Sequence, residues 1–433
     1  MKPPLKLALL LTGNELMSGV TVDSNSSMIA QRLEPLNIQI ACKSTIGDDP
    51  ALLAHEIQRL ASTHSVLIIN GGLGPTDDDL TASILAQTVG VPLEQNTTAL
   101  EWIENWCRRR GVAANDANRK QAWVPQGTRL IPNPSGSAPG IQLRYLDCEI
   151  ICTPGVPSEL SGMLDETILP WLDRHLPPRE PVRISRFQTF GLGESHIQQT
   201  VRQLIPDWPS AIELGFRAGA PSLELKVSSF RSEDESLRLQ CEQRILDLFG
   251  DYVFARGGMQ LQHTLVQHLL NAGKHITTAE SCTGGLIASM LTEVPGSSKV
   301  FEGGFVSYSN AMKIKMLGVS EITLQEHGAV SEAVVMEMAN GALARSSADF
   351  AIAVSGIAGP DGGTADKPVG TVWLAWGGVD TLQARQLYFP RERKLFQLMV
   401  AATALDLIRR ALLAIPQPPR YLAERTLRAS SLA

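Results

Sequence analysis

The chain has 433 residues, of which 44% are hydrophobic and 19% charged, with a net charge of −6. That is too long for one ordinary domain and supplies enough apolar residues for two or three folded units. No run of Lys or Arg stands out, which argues against a duplex nucleic-acid surface. The opening apolar run within MKPPLKLALLLTGNE is too short for a membrane span, so it reads as a first strand rather than a signal peptide. The six cysteines are Cys42, Cys107, Cys148, Cys152, Cys241 and Cys282. Only Cys148 and Cys152 are close, and no second Cys or His pair accompanies them. Reduced thiols of a cytoplasmic protein are expected, without a zinc site.

In chain order, residues 1–172 alternate strand and helix. The Lys6–Thr12 strand precedes a helix over Ser24–Glu34, with Asp23 and Ser24 as capping candidates. Ile38–Ser44 reads as a strand. Asp48-Asp49-Pro50 then opens a helix with Leu52, Leu53, Ile57 and Leu60 on its apolar face. Val66–Ile69 is a continuous apolar run suited to a buried parallel strand, and it ends in Gly71-Gly72-Leu73-Gly74-Pro75-Thr76. Residues 173–256 read as a small α+β connector domain, with strands at Arg183–Leu192 and Ser222–Phe230 and helices at Glu194–Leu204 and Ser236–Phe249. Pro177-Pro178 marks one edge of it and Arg256-Gly257-Gly258 the other. Residues 257–416 form a second α/β unit, and 417–433 are expected to be a mobile tail. The expected fold class is α/β: two doubly wound α/β domains joined by the connector.

The stretch from Thr277 to Gly318 carries the most chemistry. A β-rich run feeds the turn Ser281-Cys282-Thr283-Gly284-Gly285, where glycines bring backbone N–H groups close to a ligand at a helix start. Tyr308 and Lys313 follow about thirty residues later. A hydroxyl nucleophile, amide donors and a Lys are the parts of a serine amidohydrolase that needs no His. Ser281 and Thr283 taken alone read equally well as helix caps, Tyr308 as a strand residue and Lys313 as a solvated one. Cys282 is a rival nucleophile, with His275 upstream and His327 in a loop as the imidazoles to consider. Lys315 is a candidate cationic neighbour of Lys313, although residues i and i+2 of a helix point apart. In the first half, Asp48, Asp78 and Asp79 lie near strand ends and glycine turns, with Glu15 and Asp23 in the first turn region. Carboxylates so placed suit a divalent cation that neutralises phosphate charge, and Gly71, Gly72 and Gly74 suit a phosphate cradle. Helix capping is the alternative for each Asp, above all for Asp48 and Asp49.

Two sets of motifs go further. GNELMSGVTVDSN, GGLGPTDDDLT, NRKQA, NPSGSAPG and TPGVPSEL come first, then TAESCTGGL, PGSS, GGFVSYSNAMKIKMLGV, GAVSE, SGIAGPDGG and KPVGTVW. In this order they resemble the CinA family, competence/damage-inducible proteins, over nearly the whole chain. The resemblance implies an N-terminal domain like the molybdopterin-binding domains of molybdenum cofactor biosynthesis. It also implies a C-terminal domain like nicotinamide-nucleotide amidohydrolases, which convert nicotinamide mononucleotide to nicotinate mononucleotide and ammonia in pyridine-nucleotide salvage. On matching positions, Ser281 is implied as nucleophile with Lys313 and Tyr308 as activating partners. Thr283, Gly284, Gly285, Asn310 and Arg393 are the implied substrate contacts, with Arg393 for the phosphate. The amidase is expected to need no cofactor. For the N-terminal half the resemblance implies a metal-dependent ADP-ribose pyrophosphatase, with Asp48, Asp78 and Asp79 as metal ligands and Gly71, Gly72, Gly74 and Asn118 as substrate contacts. Arg119 and Lys120 are candidates for a further ligand portion.

Three segments depart from the family pattern. Asn14 stands where Thr is common, Ala311-Met312 where Glu-Ala is common, and Pro390-Arg391-Glu392-Arg393 where Gly-Asp-Arg is frequent. Expected partners are the two nucleotides and a second copy of the chain in a homodimer, with no membrane and no nucleic acid. The rival readings are a non-catalytic nucleotide sensor or competence-linked interaction protein, and a molybdopterin-handling protein.

Overall fold

Leu7–Leu11 are five successive apolar residues, and only burial on both faces satisfies them. In the computed structural model, which describes residues 6–175, 180 and 182–426, they lie inside a sheet. β1 (Leu7–Thr12) runs parallel to β2 (Ile40–Ile46) on one side and β3 (Val66–Asn70) on the other. β4 (Leu93–Gln95) and β5 (Trp123–Pro125) form a separate antiparallel ribbon. β6 (Arg129–Ile131), β7 (Gly140–Tyr145) and β8 (Cys148–Thr153) complete a six-stranded sheet of order β2-β1-β3-β8-β7-β6. β8 continues the parallel run from β3, whereas β7 and β6 are antiparallel. Alternate residues of β1 feed two cores. Leu7, Leu9 and Leu11 meet Ile29, Leu33, Leu160 and Met163, while Ala8 and Leu10 share the other core with Leu53, Ile57, Leu60 and Leu85.

The Pro50–Ala61 helix starts as its sequence suggests, with Asp49 accepting from the Leu52 N–H at 2.8 Å and proline in its first turn. Leu52 is 43% exposed and lies outside the apolar face assigned to it. It occupies the first turn, before the helix settles onto the sheet.

Two compact units emerge: residues up to Arg183 with Phe230–Ser232, and Ile184–Ser229 with Glu233 onward. In the second, β9 (Arg183–Thr189), β10 (Ile212–Ala218), β11 (Leu223–Ser229) and β12 (Val253–Arg256) make a sheet of order β10-β11-β9-β12. Helices Glu194–Leu204 and Glu235–Phe249 close it through Ile197, Val201, Cys241, Ile245 and Phe249. This is the α+β segment expected from the sequence, with β10 and β12 added. Pro177-Pro178, its expected edge, lies outside the described residues.

β13 (Ile276–Glu280), β14 (Phe301–Val306), β15 (Phe350–Gly356), β16 (Thr371–Gly377) and β17 (Gln383–Tyr388) follow, in the order β14-β13-β15-β16-β17. β13 is parallel to both neighbours, and β16 and β17 are antiparallel. Helices Leu261–Ala272, Leu286–Thr292 and Arg393–Leu412 share one core with the sheet, and Glu332–Arg345 packs in another. Phe190 and Phe254 sit in the same core as Leu261, Leu265 and Phe396, so the α+β segment and the last sheet are packed together.

The tail expected to be mobile is docked as far as it is described; residues 427–433 lie outside the described residues. A short helix, Tyr421–Glu424, buries Tyr421 to 2% exposure with its ring edge-on to Phe190 at 5.5 Å. The Tyr421 hydroxyl donates to Asp406 Oδ2 at 2.7 Å, and Arg409 and Arg410 donate to the same buried carboxylate at 2.8 and 3.0 Å. Burial and the adjacent Asp406 push the Tyr421 phenol well up, so it stays a donor. One aromatic anchor leaves no periodic pattern, which is why composition alone reads this segment as loose. Tyr421→Ala is expected to cost about 3 kcal/mol by loss of buried area. Tyr421→Phe, which removes one hydrogen bond, should cost about 1 kcal/mol. Urea unfolding measures both, and a tail free in solution would give no change in either.

Candidate active site

The C-terminal ends of β13 and β15 place the first group. The Ser281 N–H donates to Val354 O at 3.0 Å, which extends the ladder one residue past β13 and fixes the start of the turn. Gly284 and Gly285 then adopt φ of 64° and 98°, a left-handed passage that disfavours side chains, and the Leu286–Thr292 helix begins. Glu280 is fully buried and accepts from the N–H groups of Gly285, Ile287 and Ala288 at 3.1, 3.0 and 2.8 Å. The protein supplies its own anion to this helix start. The Gly284 N–H is also taken, by Ser281 O at 3.1 Å. Gly284 and Gly285 therefore have no backbone donor to offer a substrate, contrary to the expectation, and neither they nor Thr283 lines the adjacent cavity. The Cys282 and Thr283 N–H groups are the turn's candidates for an oxyanion.

The second group comes from the Asn310–Leu317 helix, capped by Ser309, whose Oγ accepts from the Met312 N–H at 3.2 Å. Its first turn carries Lys313 inward to 1% exposure. The Lys313 amine contacts Ser281 Oγ at 2.9 Å, Ser307 O at 2.9 Å and Tyr308 O at 3.3 Å. It has no carboxylate partner among the described residues, and burial lowers its pKa from the ordinary 10.5. Lys315 is exposed and is no neighbour of this amine.

These three contacts match the valences of a neutral amine. Its two N–H bonds serve the two carbonyls, and its lone pair can accept the Ser281 hydroxyl proton. Tyr308 plays another part than expected. It reaches Lys313 through its backbone oxygen, while its phenol, on a residue 60% exposed, accepts from Arg393 Nη2 at 3.0 Å. Arg393 is also held by Gly359 O at 2.7 Å.

Ser281, Cys282, Tyr308, Asn310, Lys313 and Arg393 line one cavity of about 200 Å³ with Ala329, Val330, Ser355, Gly356 and Ala358. No carboxylate is in its wall, and Arg393 is its fixed cation. Ser355, missed from the sequence, is 1% exposed and donates to Ala329 O at 2.7 Å. The signal for it was the same as for Ser281: a small hydroxyl residue where an apolar strand meets a glycine turn. The rival Cys282 is 4% exposed, and burial pushes its thiol up to about 12. His275 pairs with Glu302 at 2.8 Å, and neither it nor His327 lines the cavity, so no Cys–His pair forms there.

A second cavity, about 490 Å³, opens in the first unit at the carboxyl ends of β1, β2, β3 and β8. Its wall includes Gly71, Gly72, Gly74, Glu15, Asp48, Asp78, Asp79 and Glu159. The expected metal ligands are differently engaged. Asp48 ties the first turn together, accepting from Thr12 Oγ1 and from the Asn14 N–H, both at 3.0 Å. Asp79 accepts from the N–H and hydroxyl of Thr76, and the Thr76 hydroxyl also holds the exposed Asp78 carboxyl below its usual range. Among the described residues no three acidic, His or Cys side chains converge on a point that would hold an ion. The trio does not form a metal centre. Asp23 pairs with Lys43 at 2.5 Å. Asn118 lies outside the cavity and closes a capping box with Asn115, as N3 of a short helix. Arg119 pairs with Glu104 at 3.4 Å. Cys148 and Cys152 are buried β8 thiols, the first pushed up to about 12 by burial.

Comparison with known proteins supplies the family. The CinA C-terminal domain model matches residues 258–412, and the model described as probable molybdopterin binding domain matches 8–174. A CinA-like protein of Colwellia psychrerythraea is 49% identical over 97% of this chain and 98% of its own length. The chain belongs to the CinA-like family. A CinA-like protein of an Anaeromyxobacter species is 37% identical over 94% of this chain and all of its own. Among solved structures, the competence/damage inducible protein CihA from Agrobacterium tumefaciens is 44% identical, covering 36% of this chain and 97% of that one, with a TM-score of 0.34.

In this CinA-like protein the buried, protonated thiol of Cys282 should resist iodoacetamide at pH 8 in the native state. It should label fully in denaturant. Peptide mass spectrometry of the labelled protein measures this, and rapid native labelling would return the thiol to contention as nucleophile.

Proposed function

We propose that this CinA-like protein hydrolyses the carboxamide of nicotinamide mononucleotide to the carboxylate and ammonia, with Ser281 as nucleophile and Lys313 as base. The observation that carries the reading is the buried Lys313 amine, held by two carbonyls and aimed at Ser281 Oγ at 2.9 Å. Ser281 Oγ bonds to the amide carbon as its proton passes to Lys313 Nζ. The C=O electron pair moves onto oxygen, where the Cys282 and Thr283 N–H groups are the nearest candidates to stabilise it. Collapse breaks the C–N bond, and the Lys313 proton leaves with the nitrogen as ammonia. Water then attacks the acyl-serine ester, giving its proton to Lys313, and the ester bond breaks to restore Ser281. A cavity with Arg393 and no carboxylate suits a substrate that carries a phosphate.

For the first unit the reading is binding of a nucleotide such as ADP-ribose. It is supported by a glycine-rich cavity at the carboxyl ends of parallel strands, the usual ligand position in such sheets. Pyrophosphate hydrolysis is not part of this reading, because the carboxylates do not gather.

Ammonia release from nicotinamide mononucleotide tests the amidase. Ser281→Ala and Lys313→Met should each lower kcat/KM about a thousand-fold or more, and Cys282→Ala should keep activity. Loss in Cys282→Ala with activity retained in Ser281→Ala would reverse the assignment. Failure of the folded wild type to release ammonia would overturn the reading itself.

The base must be neutral, and burial places the Lys313 pKa below 10.5. Activity should therefore rise with pH, level off above that pKa and fall as protons add below it. Lys313→Arg, which stays charged at all these pH values, should be inactive throughout. A profile indifferent to pH up to 10.5 would exclude Lys313 as the base.

A further inference from the structure

A third cavity, also about 490 Å³, lies in the first unit beside the glycine-rich one and has the opposite character. The Thr97–Arg109 helix lays Trp102 and Trp106, one turn apart and half-buried, along its wall, with Arg108 and Arg109 at the helix end. Its lining contains no carboxylate, whereas its neighbour is lined by Glu15, Asp48, Asp78, Asp79 and Glu159. In a chain of net charge −6, a pocket holding two indoles and two guanidiniums without an acid is a local reversal. Arg108 donates to the Asn105 amide oxygen at 2.9 Å, and neither it nor Arg109 has a carboxylate partner among the described residues. Glu104, on the same helix, pairs elsewhere, with Arg119 at 3.4 Å. Arg110 lies over the Trp106 ring at 4.2 Å and helps hold that indole in place.

The opposite wall is the 132–139 turn, which is built to be rigid. Asn133 donates to Ala138 O and Glu159 Oε2 at 2.8 and 2.7 Å and accepts from the Ser135 and Gly136 N–H groups at 3.1 and 2.8 Å. Ser137 lines both this cavity and the glycine-rich one, so the two meet at that residue.

We infer that the Trp102/Trp106 cavity binds the aromatic base and adjacent phosphate of a nucleotide, whose further sugar passes Ser137 into the acid-lined cavity. Indoles stack on bases regardless of identity, guanidiniums pair with phosphate oxygens, and carboxylates accept from sugar hydroxyls. The charge division between the cavities therefore matches the polarity of one ligand. This assignment deepens the nucleotide reading of the first unit and rests on it.

Calorimetric titration of the full chain with AMP, ADP-ribose and ribose 5-phosphate tests it. The variants are Trp102→Leu with Trp106→Leu, which keep apolar bulk, and Arg108→Gln with Arg109→Gln, which change exposed residues only. Thermal melting serves as the folding control. Both pairs should weaken AMP and ADP-ribose at least ten-fold, and the Trp pair should leave ribose 5-phosphate within two-fold. ADP-ribose bound equally by the wild type and the Arg pair overturns the inference and leaves the nucleotide reading intact. AMP binding weakened by both pairs, with no ADP-ribose binding by the wild type, supports the cavity and overturns ADP-ribose as ligand. No binding of either nucleotide by the wild type overturns both.

Discussion

The C-terminal site depends on keeping a lysine amine where water cannot reach it. Lys313 is 1% exposed, has no carboxylate partner among the described residues and is held by the oxygens of Ser307 and Tyr308. A charged ammonium there would carry a desolvation penalty of several kcal/mol, whereas a neutral amine satisfies each contact it makes. Much of the surrounding structure serves that condition. The Ser309 cap fixes where the Asn310–Leu317 helix begins and hence the angle at which Lys313 enters. The bond from the Ser281 N–H to Val354 O sets the hydroxyl at the end of β13. Absence of acids from the cavity wall removes the groups that would hold the amine protonated.

Glu280 shows how the same turn avoids a conflict. A helix N-terminus beside a neutral base would attract anions of many kinds. Here the start of the Leu286–Thr292 helix is already closed by a buried carboxylate accepting three N–H bonds. The substrate's phosphate is thereby left to Arg393, on the opposite side of the nucleophile in sequence and on a different helix. Specificity for an anionic substrate and activation of the serine are carried by separate elements.

Legibility in the sequence followed the range of the interaction. Local patterns gave strands and helices directly: the Val66–Ile69 run, the Asp49-Pro50 helix start and the Glu194–Leu204 helix. Strands β10, β12, β14 and β17 were not read, because their side chains alternate weakly or their pairing is set by distant partners. Within the site, Ser281 and Lys313 were legible as residue types, and the contact of the amine with the hydroxyl agrees with their pairing. What could not be read was competition for hydrogen bonds. Nothing local in TAESCTGGL says that Glu280 would take the Gly285 N–H, or that the Tyr308 phenol would turn to Arg393. Asp48 and Asp79 looked like ligands for the same reason. A carboxylate beside a glycine turn has one sequence signature whether it binds a cation or ties the turn together, and only the partners Thr12, Asn14 and Thr76 separate the two.

The first unit repeats this lesson at the level of charge. Totals describe an acidic chain, and five carboxylates line the glycine-rich cavity in agreement with them. By itself that cavity is a poor receptor for a phosphate: unpaired acids repel it, and they converge on no cation position among the described residues. The basic pair at the end of the Thr97–Arg109 helix removes the difficulty without a metal, because a nucleotide's charge and its sugar hydroxyls need not occupy the same pocket. Anion and hydroxyl recognition, divided between two cavities that meet at Ser137, is a more economical account of the acids than a ligand cluster that does not close.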